Sequence, residues 1–185
     1  MGMSSKPGST SPAGNYSVRA VFAATTNYNS YTTSYKNFTI SKRNVTFRAT
    51  DQSKTYDGTA LTAANTATLT TGSLVSGHTA TFSCTGTITN YGTTGWTSKV
   101  LSSVTIKSGS TDVTSNYNIS KTNGSLSINK RPVTYTATTQ GKNYDGSAMY
   151  VYDTATLTSG TLVSGHYASS FSCSGTARTD VGRNT

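Results

Sequence analysis

The residues with the clearest potential for chemistry form two short clusters around the tripeptide Tyr-Asp-Gly. The clusters are Gln52, Lys54, Tyr56, Asp57 and Gly58, and then Gln140, Lys142, Tyr144, Asp145 and Gly146. The aspartate could act as a ligand or as a catalyst, because a carboxylate accepts protons and binds cations. It could equally close a turn, since Asp bonds its own backbone and Gly tolerates a positive φ angle. The scarcity of other reactive groups favours the turn.

Catalysis would need further groups beside this aspartate, and the sequence offers few. The chain contains no glutamate, and only Asp57 and Asp145 recur at equivalent places, since Asp51 is replaced by Thr139. Acid–base catalysis by paired carboxylates, a hydrolytic triad and a metal centre each require several such groups at one site. We therefore expect no enzyme, no catalytic residue, no metal site and no cofactor.

The two clusters belong to a long internal repeat. Tyr56 and Tyr144 lie 88 residues apart, as do His78 and His166. A period of this length is the size of a small domain. We predict a disordered leader over 1–12, the C-terminal part of a preceding repeat over 13–44, a complete repeat over 45–132 and the N-terminal part of a truncated repeat over 133–185.

The elements that must position these residues are predicted to be strands. Hydrophobic residues make up 33% and charged residues 11% of the chain, and no stretch has a helical period. Alternation of apolar and hydroxyl residues indicates strands with one wet face. The predicted inner faces are Tyr16, Val18, Ala20 and Phe22; Val45, Phe47 and Ala49; Ala80, Phe82 and Cys84; Val104 and Ile106; Tyr117 and Ile119; Leu126 and Ile128. We expect an all-β fold of tandem antiparallel, immunoglobulin-like sandwiches, with β-grasp modules as the alternative.

Several motifs in fixed order carry a family resemblance. "KTYDGTAL" and "KNYDGSAM" are followed by "SLVSGH" or "TLVSGH", and "NGSLSINKRP" closes the complete repeat. This series resembles the YDG/MBG-type tandem repeats of bacterial cell-surface, adhesin-like proteins. The resemblance implies an extracellular location at the cell surface or cell wall. It implies a modular architecture rather than a chemistry, because most members of that family have no assigned ligand.

An internal crosslink is the one chemistry that the clusters leave open. Some bacterial surface β-domains form Lys–Asn isopeptide or Thr–Gln ester bonds beside a buried carboxyl group. Gln52 with Lys54, and Gln140 with Lys142, are the candidates here, with the neighbouring aspartate as the only carboxyl group. The alternative is that these residues are solvated and flank a turn. An intact mass equal to that of the unmodified sequence would exclude the crosslink.

Charge and cysteine content limit the partners. The formal net charge is +9, but the basic residues are scattered rather than grouped in the stripe that nucleic acid requires. These scattered residues include Arg19, Lys36, Arg48, Lys99, Lys107, Lys121 and Arg178. We expect no nucleic-acid partner and, since no segment approaches about 20 apolar residues, no membrane span. Cys84 and Cys173 are repeat equivalents, so we interpret each as a small buried hydrophobe.

Two functions remain open at this point. The first is a non-catalytic stalk or spacer whose partners are the neighbouring repeats of the same chain. The alternative is weak multivalent binding of cell-wall polymers, glycans or host surface proteins, in which repetition raises avidity. Tyrosines such as Tyr150 and Tyr152 could stack on sugars. The stalk is favoured because the repeated residues are those of turns and inner faces.

Overall fold

The computed structural model describes residues 11–91 and 96–175. Most of the predicted leader, and residues 176–185 of the last predicted repeat with Arg178, lie outside the described residues. The chain divides into two compact units, Met1–Lys54 with Ala60–Ile128, and Thr55–Thr59 with Asn129–Thr185. The predicted repeat boundaries at 45 and 133 stay predictions.

The structure confirms the all-β class. Across the described ranges the regular elements are strands, with one 3₁₀ turn at Thr114–Asn116. The strands are β1 (Gly14–Val18), β2 (Val21–Phe22), β3 (Tyr31–Thr32), β4 (Lys36–Ile40), β5 (Arg43–Ala49), β6 (Gln52–Thr55), β7 (Leu61–Thr62), β8 (Ala67–Thr71), β9 (His78–Thr85), β10 (Thr87–Ile88), β11 (Trp96–Ser108), β12 (Thr111–Asp112), β13 (Tyr117–Thr122), β14 (Gly124–Asn129), β15 (Thr134–Ala137) and β16 (Ala155–Ser159).

Two sheets build most of the first unit. One has the strand order β13-β5-β8, and the other has the order β12-β11-β14-β6, with β9 also paired to β11. The pairs β5–β8, β9–β11 and β11–β14 are antiparallel, as expected. The β13–β5 pair is parallel, with Tyr117 opposite Arg43 and Thr122 opposite Arg48. Parallel neighbours need a crossover rather than a hairpin, so purely antiparallel sheets were the wrong expectation at this pair.

The core of the first unit confirms the predicted inner faces of several strands. The alternation works because successive side chains of a strand point to opposite faces of its sheet. Phe47 is buried and contacts Phe82 edge-to-face, with 5.3 Å between ring centroids. The buried hydrophobic residues are Val45, Phe47, Ala49, Cys84, Leu101, Val104, Ile106, Tyr117, Leu126 and Ile128.

The predicted strand over 16–22 is wrong in its extent. Strand β1 ends at Val18, and β2 begins at Val21. Between them the Ala20 backbone turns to Thr33, because its N–H donates to Thr33 Oγ1 and its carbonyl accepts from the Thr33 N–H. This change of partner interrupts the alternation, and Val18 and Phe22 are exposed instead of buried.

In the second unit, β15 pairs with β16 in an antiparallel ladder. Tyr135 lies opposite Leu157 there, just as Phe47 lies opposite Leu69 in the β5–β8 ladder. Both ladders carry a register shift next to this aromatic residue. The second unit therefore reproduces, residue for residue, the ladder of β5 and β8.

Candidate functional site

The aspartate of each Tyr-Asp-Gly corner bonds its own turn. Asp57 Oδ1 accepts from the Thr59 N–H at 2.9 Å and from Thr59 Oγ1 at 2.8 Å. Gly58 has a φ of +82°, a conformation that a side chain makes unfavourable. The sequence-based interpretation of the corner as a turn matches this geometry.

The second corner has the same geometry with a lysine added. Asp145 Oδ1 accepts from the Ser147 N–H at 2.9 Å and from Ser147 Oγ at 2.7 Å. Lys142 Nζ donates to the same oxygen at 2.7 Å. The Lys142 bond first, and then the Ser147 bonds, hold the pKa of Asp145 well below its ordinary value. A carboxylate held ionised in this way is poorly suited to proton transfer near neutral pH.

The two glutamines bind the backbone of a facing segment. Gln52 Oε1 accepts from the Ala64 N–H at 2.8 Å, and Gln140 Oε1 accepts from the Tyr152 N–H at 2.8 Å. The Gln140 amide also donates to the Tyr152 carbonyl at 2.7 Å. Among the crosslink candidates, Gln140 binds the Tyr152 backbone whereas Lys142 binds Asp145, so these two side chains have different partners. Lys54 lies half-buried on β6. The crosslink stays a prediction, with intact mass as its test.

Tyr56 of the first corner has a specific environment within the second unit. Its ring stacks on His166, with centroids 5.7 Å apart and planes 30° apart. Its N–H donates to the Asn129 carbonyl at 2.9 Å, and its carbonyl accepts from Arg131 Nη1 at 3.4 Å. Arg131 also donates to the Thr161 carbonyl at 2.6 Å. The first corner therefore packs against groups that lie far away in sequence.

Gly58 and Gly146 show how the two corners differ. A Cβ atom at Gly58 would lie 2.7 Å from Cγ1 of Val163, closer than side chains tolerate. A Cβ atom at Gly146 would meet nothing within 4 Å, and Tyr144 beside it is 70% exposed. The same tripeptide is thus packed in one place and open in the other.

The histidine that recurs in the repeat has a structural partner in the first unit. His78 Nδ1 and the hydroxyl of Tyr117 are 2.7 Å apart, and the Val75 N–H donates to the same hydroxyl at 3.0 Å. Tyr117 is buried in the core. These contacts fix the turn before β9 rather than forming a reactive centre.

Lys99 is the residue that sequence reasoning misjudged most. It was grouped with the scattered basic residues, but its side chain is 0% exposed. Its ammonium donates to the Thr50 carbonyl and to Thr66 Oγ1, both at 2.9 Å. The register of β11 shifts between Leu101 and Ser103, so Lys99 lies on the inner face with Leu101 although the alternation of Val104 and Ile106 would place it on the outer face.

Exposed tyrosines are the other groups with binding potential. Tyr150 and Tyr152 are 68% and 65% exposed. In the first unit Tyr28 and Tyr31 are equally open, and Arg19 lies over the Tyr35 ring at 4.8 Å from its centroid. Such rings present flat apolar faces with a polar edge, the geometry on which sugars stack.

Residues 11–91 and 96–175 contain no group of three His, Cys, Asp or Glu side chains that could hold a metal ion. Their secondary structure includes no helix of the length and apolar character needed to cross a membrane. Cys84 and Cys173 are free thiols.

Comparison of the chain with protein-family models, with curated proteins and with solved structures finds no match.

Proposed function

We propose that this chain is a non-catalytic repeat segment of a bacterial surface protein, serving as a stalk or spacer for adhesion. Its modules are immunoglobulin-like sandwiches of the YDG/MBG type, located outside the cell at the surface or wall. The observation that carries the proposal is the use of the recurring polar side chains. In both copies of the repeat the glutamine and the corner aspartate accept hydrogen bonds from backbone N–H groups.

The glutamine bonds described above are one example, because Ala64 and Tyr152 are themselves repeat equivalents. A second example lies beside the cysteines. Asn65 Oδ1 accepts from the Cys84 N–H at 2.8 Å, and Asp153 Oδ1 accepts from the Cys173 N–H at 2.6 Å. The side chain changes from amide to carboxylate, whereas the bond to the backbone persists. A position selected for acidity would not tolerate that exchange, because an amide cannot transfer protons at neutral pH.

The neighbouring repeat of the same chain is the proposed partner of the Tyr-Asp-Gly corner. The Tyr56–His166 stack and the close approach of Gly58 to Val163 join the first corner to the valine and histidine of the following copy of the repeat. Aromatic stacking of this kind is worth about 0.5–1.5 kcal/mol beyond its buried area. The corner thus acts as a structural contact, which suits a spacer.

The proposal is tested by displaying a fluorescent reporter on a bacterial surface above the 185-residue segment. A flexible Gly/Ser linker with the same number of residues is the control. Each folded unit should extend the spacer by about 25–40 Å. A flexible linker of this length has an r.m.s. span of about 70–80 Å, so the two spacers should reach similar mean heights, but the reporter on the folded segment should have a much narrower height distribution. Equal distributions would overturn the stalk function.

Weak multivalent glycan binding is the second candidate, and the exposure of Tyr150 and Tyr152 favours it. A glycan array probed with the whole chain tests it. Binding that is lost in Tyr150→Ser with Tyr152→Ser, but retained in Tyr28→Ser with Tyr31→Ser, would support recognition at the second unit. Signal unaffected by either pair of substitutions would contradict that site.

A further inference from the structure

The β1–β4 hairpin reproduces the closing strands of the complete repeat. In β1–β4, Tyr16 lies opposite Phe38 and Ser17 opposite Asn37. In β11–β14, Thr97 lies opposite Leu126 and Ser98 opposite Ser125. Phe38 and Leu126 are repeat equivalents, as are Asn37 and Ser125, so β4 and β14 each pair with an antiparallel neighbour through the same positions of the repeat. Strand β4 is therefore the structural counterpart of β14.

The counterparts differ in what covers them. Strand β14 lies between β11 and β6, and its Leu126 is 0% exposed. Strand β4 pairs with β1 alone among the described strands, and Phe38 is 37% exposed. One edge and one apolar face of β4 are therefore uncovered where those of β14 are covered.

The second unit offers the surface that would cover them. Segment 140–143 is the counterpart of β6 and belongs to no strand, although Gln140 makes the same backbone bond as Gln52. Val133 is 38% exposed, whereas its counterpart Val45 is buried. In the complete repeat β6 pairs with β14. The second unit thus presents the counterpart of β6 without a partner strand, and β4 is the counterpart of the strand that pairs there.

We propose that another molecule of this chain covers this surface, with its β4 edge pairing onto segment 140–143 as β14 pairs onto β6. The complete repeat identifies the partner strand, because there the counterpart of segment 140–143, β6, pairs with β14, and β14 is the counterpart of β4. The contact joins two different surfaces of the chain, so it is head-to-tail. It does not depend on the stalk function.

The pairing of β4 with segment 140–143 cannot include the first residue of β4, Lys36. A Cβ atom at Gly124 would lie 2.4 Å from the Ala49 carbonyl oxygen, so only glycine fits there. The counterpart of Gly124 is Lys36, which cannot make the same approach. The pairing therefore starts at Asn37 and runs to Ile40.

The hydrogen bond between Tyr56 and Asn129 in the first copy shows which backbone N–H of segment 140–143 should donate to β4. The Tyr56 N–H donates to the carbonyl of Asn129, at the end of β14. Because a strand directs its N–H groups alternately to its two sides, the N–H two residues earlier faces the same edge. The counterpart of that earlier residue is Lys142. Its N–H is therefore the donor that another molecule's β4 should use.

Sedimentation velocity of the whole 185-residue chain, from about 5 to 500 µM, is the test; this spans affinities from roughly −7 to −4.5 kcal/mol. The sedimentation coefficient should rise with concentration. Lys142→Pro removes the donor N–H and should leave monomers at every concentration, whereas the matched Lys142→Ala, which keeps that N–H, should associate normally. Phe38→Asp places a charge on the β4 face and should also leave monomers.

A mixture of the two blocked variants gives the sharpest outcome. Phe38→Asp keeps its segment 140–143, and Lys142→Pro keeps its β4. An equimolar mixture should therefore form one-to-one heterodimers and no larger species. Wild-type chain that is monomeric at 500 µM, association unchanged by Lys142→Pro, or a mixture that stays monomeric would each overturn the proposal.

Discussion

Phe47 in the first copy of the repeat and Tyr135 in the second occupy the same position of the same ladder, yet only Phe47 is buried. Each ring contacts a phenylalanine of its own copy, and these two phenylalanines are repeat equivalents. The ring centroids are 5.3 Å apart for Phe47–Phe82 and 5.1 Å apart for Tyr135–Phe171. The difference is that β9, β11 and β14 add a second sheet to the first copy. Local contacts are therefore encoded within the front of the repeat, whereas burial requires its closing strands.

The largest effect should come from that burial. Phe47→Ala should lower the free energy of unfolding of the first unit by about 3–5 kcal/mol, because it leaves a cavity in a packed core. Tyr135→Ala should cost about 1–2 kcal/mol in the second unit, since a half-buried ring loses less apolar contact. Urea unfolding followed by hydrogen exchange in each unit measures both. Equal costs would contradict the comparison.

The two corners provide the next contrast. Gly58→Ala and Gly146→Ala both place a side chain at positive φ, which costs about 1–2 kcal/mol. Gly58→Ala should cost about 1–3 kcal/mol more, because its Cβ atom collides with Val163. Exchange of the Tyr56 amide hydrogen is the readout, since that N–H donates to Asn129. The Tyr56 amide should lose protection in Gly58→Ala and keep it in Gly146→Ala; loss in both would show that the Val163 contact contributes nothing.

Replacing either glutamine should lower stability by a similar amount, although the first copy of the repeat is more deeply buried than the second. Gln52→Ala and Gln140→Ala each remove an acceptor for one backbone N–H, which costs about 0.5–1.5 kcal/mol. Gln140→Ala also removes a donor to the Tyr152 carbonyl, but Tyr152 is exposed, so water can replace that donor at little cost. Thermal unfolding of both variants measures this, with Gln52→Glu as a control that keeps an acceptor oxygen. A cost at Gln52 several times that at Gln140 would show that burial governs these bonds too.

The smallest effect should appear in acid. Bonds from Arg48, and then from Ser125, lower the pKa of Asp51, and its counterpart Thr139 cannot titrate. A lowered native pKa gives stability that is fully present above the unfolded-state value of about 3.9 and is lost as the pH falls through the native pKa. The urea midpoint of the first unit should therefore drop as the pH falls below about 4, and it should drop less in Asp51→Asn. An identical acid response in Asp51→Asn would contradict this assignment.

Period-2 alternation predicted the inner faces of β5, β9 and β14 because each of these strands covers one core with one face. It predicted the turn at Asp57 because Asx bonding and positive φ are local properties of Asp-Gly. The parallel β13–β5 pair was missed, since strand direction depends on a crossover that leaves no local signal. Lys99 was misjudged because the register shift between Leu101 and Ser103 reverses the alternation that Val104 and Ile106 predict for the strand. The stacking of Tyr56 on His166 joins residues too far apart for any spacing rule to predict.

The two thiols differ in solvent accessibility, and this difference has a practical use. Cys84 is buried, whereas Cys173, which makes equivalent hydrogen bonds, is partly accessible. Alkylating reagents need access to the sulfur as well as its thiolate form. A brief maleimide treatment should therefore label Cys173 well before Cys84, placing a single dye in the last repeat of an otherwise native chain.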